Sequence, residues 1–196
     1  MRPNAPPVFL TLFAAAALAM SPAIAAAPEP GLEVGASVDR QMTVTDSSGA
    51  KRTLQSLMGP KGVVVYFVRS LDWCPYCRAQ AIGVDAARQE FASRGLSVAI
   101  ASYDAADRQA AFAAGRNIHL TLLSDPQSAM IDAFGIRNKA HTEGKFAGIP
   151  YPSAFVIRPD ATIAAKLYEL DYAVTEGGDH LRPEVAAVLD AIDRSR

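Results

Sequence analysis

The run GVVVYFV, residues 62–68, constrains the fold more than any other stretch of the chain. Three valines, two aromatics and a fourth valine follow a glycine with no polar interruption. A strand exposed on one face would alternate apolar and polar residues. A continuous β-branched and aromatic run instead reads as a strand covered on both faces, which requires a sheet sandwiched between helices. The same run leads directly into RSLDWCPYCRAQ, residues 69–80, which holds both cysteines of the chain, Cys74 and Cys77.

The rest of the chain alternates in the same manner. Residues 28–37 read as a lead-in loop. Two short strands flank the turn Asp46-Ser47-Ser48-Gly49, and a helical turn stops at Gly59-Pro60. A helix is expected over 75–93, with Pro75 at its first position, an internal weak point at Gly83, and Gly95 beyond its end. Ala79, Ile82, Ala86 and Phe91 are expected on its inward face. Strands at 96–104 and 120–126 enclose a helix at 105–117, and a short helix follows at 127–135. About 17 residues of loop lead to a hairpin, 153–158 and 162–169, and an amphipathic helix begins near Pro183. A loop of that length in a compact domain is usually functional or mobile. The expected fold class is α/β, with a mixed, mostly parallel sheet and helices on both faces. Sites in such sheets form where strand ends meet helix starts, which is where the cysteines fall.

The N-terminus is read separately. Arg2 is followed by an apolar run from Val8 to Met20, broken by Ser21-Pro22, and then by the small residues Ala23-Ile24-Ala25. A 13-residue run falls short of the roughly 20 that span a bilayer. Residues 1–25 are therefore expected to be a secretory signal peptide, with an uncleaved anchor as the alternative, and residues 26–196 a single domain. The expected location is periplasmic or secreted. Residues 26–196 carry 18 basic and 20 acidic side chains, because Arg2 is the only charged residue before them. That balance, without a basic tract, argues against a nucleic-acid partner. No later apolar run reaches membrane length.

In an oxidising compartment a cysteine pair is usually a structural staple. A staple works by closing a long loop, whereas a bridge from Cys74 to Cys77 closes two residues. The pair therefore reads as redox chemistry. Amide N–H groups and the dipole at a helix start favour an anion, and thiol pKa values at such sites fall from about 8.5 to roughly 3.5–7.5. Cys74 is placed as the attacking thiolate. Cys77, nearly one turn on and expected to be less exposed, attacks the resulting mixed disulfide or oxidised sulfur. A zinc or iron site would need about four ligands. No second cysteine pair exists, and His119, His141 and His180 lie far away in sequence, so neither a metal nor a cofactor is expected. His141, in the long loop, is the histidine worth following.

The stretch VVVYFVRSLDWCPYCRAQ resembles the thioredoxin-fold superfamily, most closely its peroxiredoxin-like branch, the alkyl hydroperoxide reductase / thiol-specific antioxidant (redoxin) group. MTVTDSSGAKRTLQSLMGPKGVVVYF, LLSDPQSAMIDAFGI and YPSAFVIRPDATI are similar to that group's opening, middle and late segments, so the likeness covers nearly all of residues 26–196. The resemblance implies a thioredoxin-like three-layer fold, reduction of peroxides or of protein or small-molecule disulfides, Cys74 as nucleophile and Cys77 as resolving partner. It also implies an external thiol or thioredoxin-type electron donor. Pro152 matches the proline that thioredoxin-fold oxidoreductases set in cis beside the pair, and Trp73 is typical of the position before the nucleophile. The chain departs from the peroxiredoxin pattern in carrying Phe67 and Leu71 where Pro and Thr are usual, and Pro152 where an Arg is usual. Arg69 is the candidate substitute cation, and Asp72 a candidate proton shuttle or a surface acid. The alternative function is a non-enzymatic thioredoxin-like binding module, or a copper carrier using the two thiols.

Overall fold

The computed structural model describes Met1 and residues 29–169 and 180–195. Apart from Met1, the expected signal peptide lies outside the described residues. Among them, no helix is long and apolar enough to cross a membrane. Seven strands, β1 (Thr43–Asp46), β2 (Lys51–Thr53), β3 (Val63–Phe67), β4 (Ser97–Ser102), β5 (Thr121–Ser124), β6 (Ser153–Ile157) and β7 (Ile163–Tyr168), form one sheet in the order β2-β1-β5-β4-β3-β6-β7. The helices are α1 (Pro75–Ala86), α2 (Arg88–Ser93), α3 (Ala106–Arg116), α4 (Ala129–Ala133) and α5 (Val185–Arg194).

The sheet is mixed, but less parallel than expected. β3 pairs parallel with β4, and β4 with β5, whereas every pairing outside this central trio is antiparallel. The short turns joining β1 to β2 and β6 to β7 make those two pairs antiparallel, and the crossovers through α1–α2 and α3 return β4 and β5 parallel to β3.

β3 is an interior strand, between β4 and β6, and is buried along its whole length. Its residues divide between two cores. Val64, Tyr66 and Val68 face a cluster with Cys74, Cys77, Ala81, Val84, Phe91, Val188, Leu189 and Ile192, from α1, α2 and α5. Val63, Val65 and Phe67 face the other layer with Ile131, Phe134, Ile136 and Phe155. There the ring of Phe67 lies 4.8 Å from that of Phe134 and 5.8 Å from that of Phe155. Each fully buried side chain of this size contributes about 1.5–3 kcal/mol relative to exposure, so the apolar run at 62–68 secures both layers at once. Gly62 opens it with φ +117, and a Cβ there would overlap the Ile157 carbonyl of the neighbouring strand. Glycine is required on both counts.

The helix expected over 75–93 is two helices. Ala87, with φ −88 and ψ 4, interrupts the ladder between α1 and α2. Its inward face also differs from expectation. Cys77, Ala81, Val84 and Asp85 point inward, while Ala79, Ile82 and Ala86 are exposed. The buried cysteine sets the phase: positions four and seven beyond it share its side, and Ile82 lies off that stripe. Asp85 is buried because its Oδ1 accepts the amide N–H groups of His119 and Leu120 at 2.8 and 3.0 Å, tying α1 to the start of β5.

Candidate active site

The C-terminal ends of β3, β4 and β5 and the N-terminal end of β6 meet at one edge, since Phe67 pairs with Ser153 and with Ala101, and Ser102 with Ser124. The segment 68–74 leaves β3 there and is shaped by Asp104, just past β4. One carboxylate oxygen of Asp104 accepts the Ser70 hydroxyl at 2.7 Å. The other accepts the Leu71 N–H and the Ser102 hydroxyl, both at 2.6 Å. Ser70 Oγ in turn accepts the amides of Asp72 and Trp73. This chain of bonds turns the backbone into α1. Burial pushes the Asp104 carboxyl up, against the lowering effect of its hydroxyl and amide donors.

Cys74 is the N-cap of α1 and Pro75 its first residue, as the sequence predicts. Cys74 and Cys77 form a disulfide with Cα atoms 5.3 Å apart. Cys74 Sγ accepts the Cys77 N–H at 3.2 Å, so a helix-start amide does point at this sulfur. Cys74 is not the more exposed of the two, however. Both cysteines are fully buried, because Leu71, Tyr66 and Val68 close over them from the β3 side.

Two guanidiniums reach the sulfurs. Arg69 Nη2 lies 3.5 Å from Cys74 Sγ. Arg182 Nη2, from the segment before α5, lies 3.6 Å from Cys74 Sγ and 3.5 Å from Cys77 Sγ. Both arginines are more than nine-tenths buried. Arg69 is thus where the sequence reading puts a substitute cation. Arg182 was not identified by that reading. It stands 105 residues beyond Cys77, and its one local cue, a position just ahead of Pro183 and a helix, says nothing about cysteine.

Trp73 stands beside the pair rather than on it. Its Nε1–H donates to Tyr103 Oη at 2.8 Å, and Tyr103 donates onward to the Lys145 carbonyl at 2.6 Å. Its ring meets Phe146 at 4.8 Å, and the Arg69 guanidinium lies 5.5 Å from the indole centroid. The long loop therefore folds onto the site through Lys145 and Phe146. His141 meets Phe146, with 5.7 Å between ring centres. Asp72 is half exposed and faces Arg108 at 3.9 Å, the position of a surface acid. Pro152 is buried at the start of β6, at the same sheet edge as the pair. Contrary to expectation its peptide bond is trans, as no described bond is cis. The Tyr151 N–H is fixed by a 2.7 Å bond to the Ile136 carbonyl, which leads the chain into β6 in extended form.

A cavity of about 450 Å³ lies next to the first turns of α1, lined by Tyr76, Gln80, Gly83, His180, Arg182 and Val185 among others. Tyr76, about half exposed, stands over it with its ring 6.0 Å from His180.

This architecture matches known proteins. The chain is 30% identical over 115 residues to the Haemophilus influenzae protein named as peroxiredoxin bcp, covering 57% of this chain and 70% of that one. A Mycobacterium tuberculosis protein named as a peroxiredoxin is 28% identical, over 65% of this chain and 80% of its own length. Among solved structures, the peroxidoxin BcpB of Mycobacterium tuberculosis superposes with a TM-score of 0.66 at 24% identity, covering 84% of this chain and 99% of that one. A peroxiredoxin-like protein of Aquifex aeolicus gives 0.67 at 21%, covering 86% and 90%. These similarities show a thioredoxin-like fold of the peroxiredoxin type. The AhpC/TSA family model matches residues 35–166, two strands ahead of β3 through most of β7, and the chain accordingly belongs to the AhpC/TSA family.

Proposed function

We propose that the protein is an exported peroxide reductase that cycles between the Cys74–Cys77 disulfide and the dithiol. The observation that carries the reading is the pair itself: a helix-capping sulfur bonded to its neighbour one turn on, fully buried beside the Arg69 guanidinium. In the reduced state the Cys74 thiolate attacks the peroxide O–O bond, becomes a sulfenic acid, and releases an alcohol or water once the leaving oxygen takes a proton. The Cys77 thiol gives up its proton and attacks that sulfur, forming the disulfide and expelling hydroxide, which leaves as water once it takes a proton. Two external thiols restore the dithiol and leave as a disulfide. The cavity lined by Arg182 and Tyr76, beside the first turns of α1, offers space for such a donor.

Burial favours a small oxidant over a protein disulfide as substrate, because a peroxide fits where a folded partner's cystine cannot reach sulfur without opening the site. The guanidinium groups at 3.5–3.6 Å also disfavour the copper-carrier alternative, since they would repel a cation held by both thiolates. Export rests on the apolar, small-residue-terminated segment before residue 26. Fractionation of expressing cells with N-terminal sequencing tests it, and a mature chain starting near Ala26 is the expected result.

The reaction is tested by mixing the reduced full chain with hydrogen peroxide and an organic hydroperoxide in stopped flow, beside insulin reduction. Rapid peroxide loss is expected, abolished in Cys74→Ser and halted at sulfenic acid in Cys77→Ser. Insulin turnover without peroxide turnover would overturn the choice of substrate.

A further inference from the structure

Arg69 and Arg182 meet the sulfurs differently. Arg69 approaches Cys74 alone, from the loop that follows β3. Arg182 Nη2 sits between the sulfurs, 3.6 Å from one and 3.5 Å from the other. Its backbone is tied to the helix that carries Cys77: Gln80 Nε2 donates to the Pro183 carbonyl at 3.0 Å, and Tyr76 meets His180. The first turn of α1 holds no acidic residue. Among the described residues, the acids on adjoining segments are Asp72 on the loop side, Glu184 beyond Arg182, and Glu169, which lines the same cavity as Arg182. Tyr66 of β3 stays a neutral phenol, its ionisation disfavoured by burial and by Glu184. At nine-tenths burial a guanidinium is weakly screened and attracts a thiolate strongly.

We propose that Arg182 is a catalytic residue that serves both sulfurs in turn, whereas Arg69 serves Cys74 alone. The inference rests on Cys74 and Cys77 being the attacking and resolving thiols. Negative charge sits on Cys74 before its attack and on Cys77 before resolution. A single Nη2 in reach of both follows that charge without moving, which Arg69 cannot do.

The test uses the reduced full chain and dithiodipyridine, a small neutral disulfide, so that it does not depend on peroxide being the substrate. The Cys74 thiolate attacks one of its sulfurs, the aromatic S–S bond breaks, and one thiopyridone leaves. The Cys77 thiol gives its proton to solvent, attacks Cys74 Sγ, and displaces the second thiopyridone. The protein loses two electrons and the probe gains them. The two releases give two resolvable phases. Arg182→Met is expected to slow both phases by about tenfold or more, the size of effect that follows from losing one charge-assisted contact to a buried anion. Arg69→Met is expected to slow the first phase alone. Ultraviolet titration of thiolate should show it forming at higher pH in both variants. Should Arg182→Met fold poorly by circular dichroism, Arg182→Lys decides: a point charge cannot bridge the two sulfurs, so the second phase is expected to remain slow. A second phase within twofold of wild type in the Arg182 variant that folds, or slowed equally by Arg69→Met, would overturn the assignment. A wild-type chain that shows both phases yet ignores peroxide would overturn the proposed substrate and leave this division of labour standing.

Discussion

Two loops at opposite places in the molecule are each gathered by one buried carboxylate, and they are built differently. At the sheet edge, Asp46 closes the β1–β2 turn. It accepts the Ser48 hydroxyl at 2.5 Å, the amides of Ser48 and Ala50, and the Arg52 Nε at 2.7 Å. Burial pushes that carboxyl up, but Ser48, Arg52 and the amides outweigh it and hold it down at about 2. At the active site, Asp104 gathers two hydroxyls and one amide with no cation among these donors, and burial wins. The comparison teaches where charge is spent. The remote turn uses an arginine for structure. The site loop is shaped by neutral donors, and Arg69, carried on that loop, lies 3.5 Å from Cys74 Sγ.

The difference is sharpened first by removing each acid. Asp104→Ala strands the buried Ser70, Leu71 and Ser102 donors and should cost about 2–4 kcal/mol in urea unfolding, with loss of peroxide turnover, because unmet buried donors are expensive. Equal activity in a folded Asp104→Ala protein would break the claim that this carboxylate sets the Cys74 loop. Asp46→Asn should cost less, about 1–2 kcal/mol, and leave the rate of Cys74 oxidation unchanged.

The pH dependence of these costs should run in opposite directions. Asp46 is lowered when folded, so its stabilisation is complete above 3.8 and fades as pH falls toward about 2; the gap to Asp46→Asn closes on acidification. Asp104 is raised when folded, so its ionisation costs stability as pH climbs past 3.8; the gap to Asp104→Asn closes on alkalinisation. Parallel slopes in the two variants would remove the distinction. The smallest expected effect is of salt. The Arg52–Asp46 pair has a half-exposed cation, and screening it should weaken the turn by less than about 1 kcal/mol, with no change at the site.

The sequence made the frame legible wherever a pattern is local. The two-faced strand at 63–67, the N-cap at Cys74 with Pro75 behind it, and the turn at Asp46 all follow from neighbours in the chain. What it hid was long-range. Asp104 reads as the last residue of a strand, and its role depends on a loop 33 residues away. Arg182 depends on how α5 docks. The apolar Ile82 draws a sequence-based face of α1 toward itself, whereas the buried Cys77 sets the phase in the structure. The resemblance implies a cis bond at Pro152, and the bond there is trans.

The most direct test of the central claim is the chemical state of Cys74 after one turnover. The reduced Cys77→Ser chain is given one equivalent of hydrogen peroxide, trapped with a sulfenic-acid reagent and mapped by mass spectrometry. A single trapped oxygen adduct on Cys74, formed rapidly and absent when Cys74 is replaced, is the predicted result. An unmodified Cys74 with peroxide remaining in solution would contradict it.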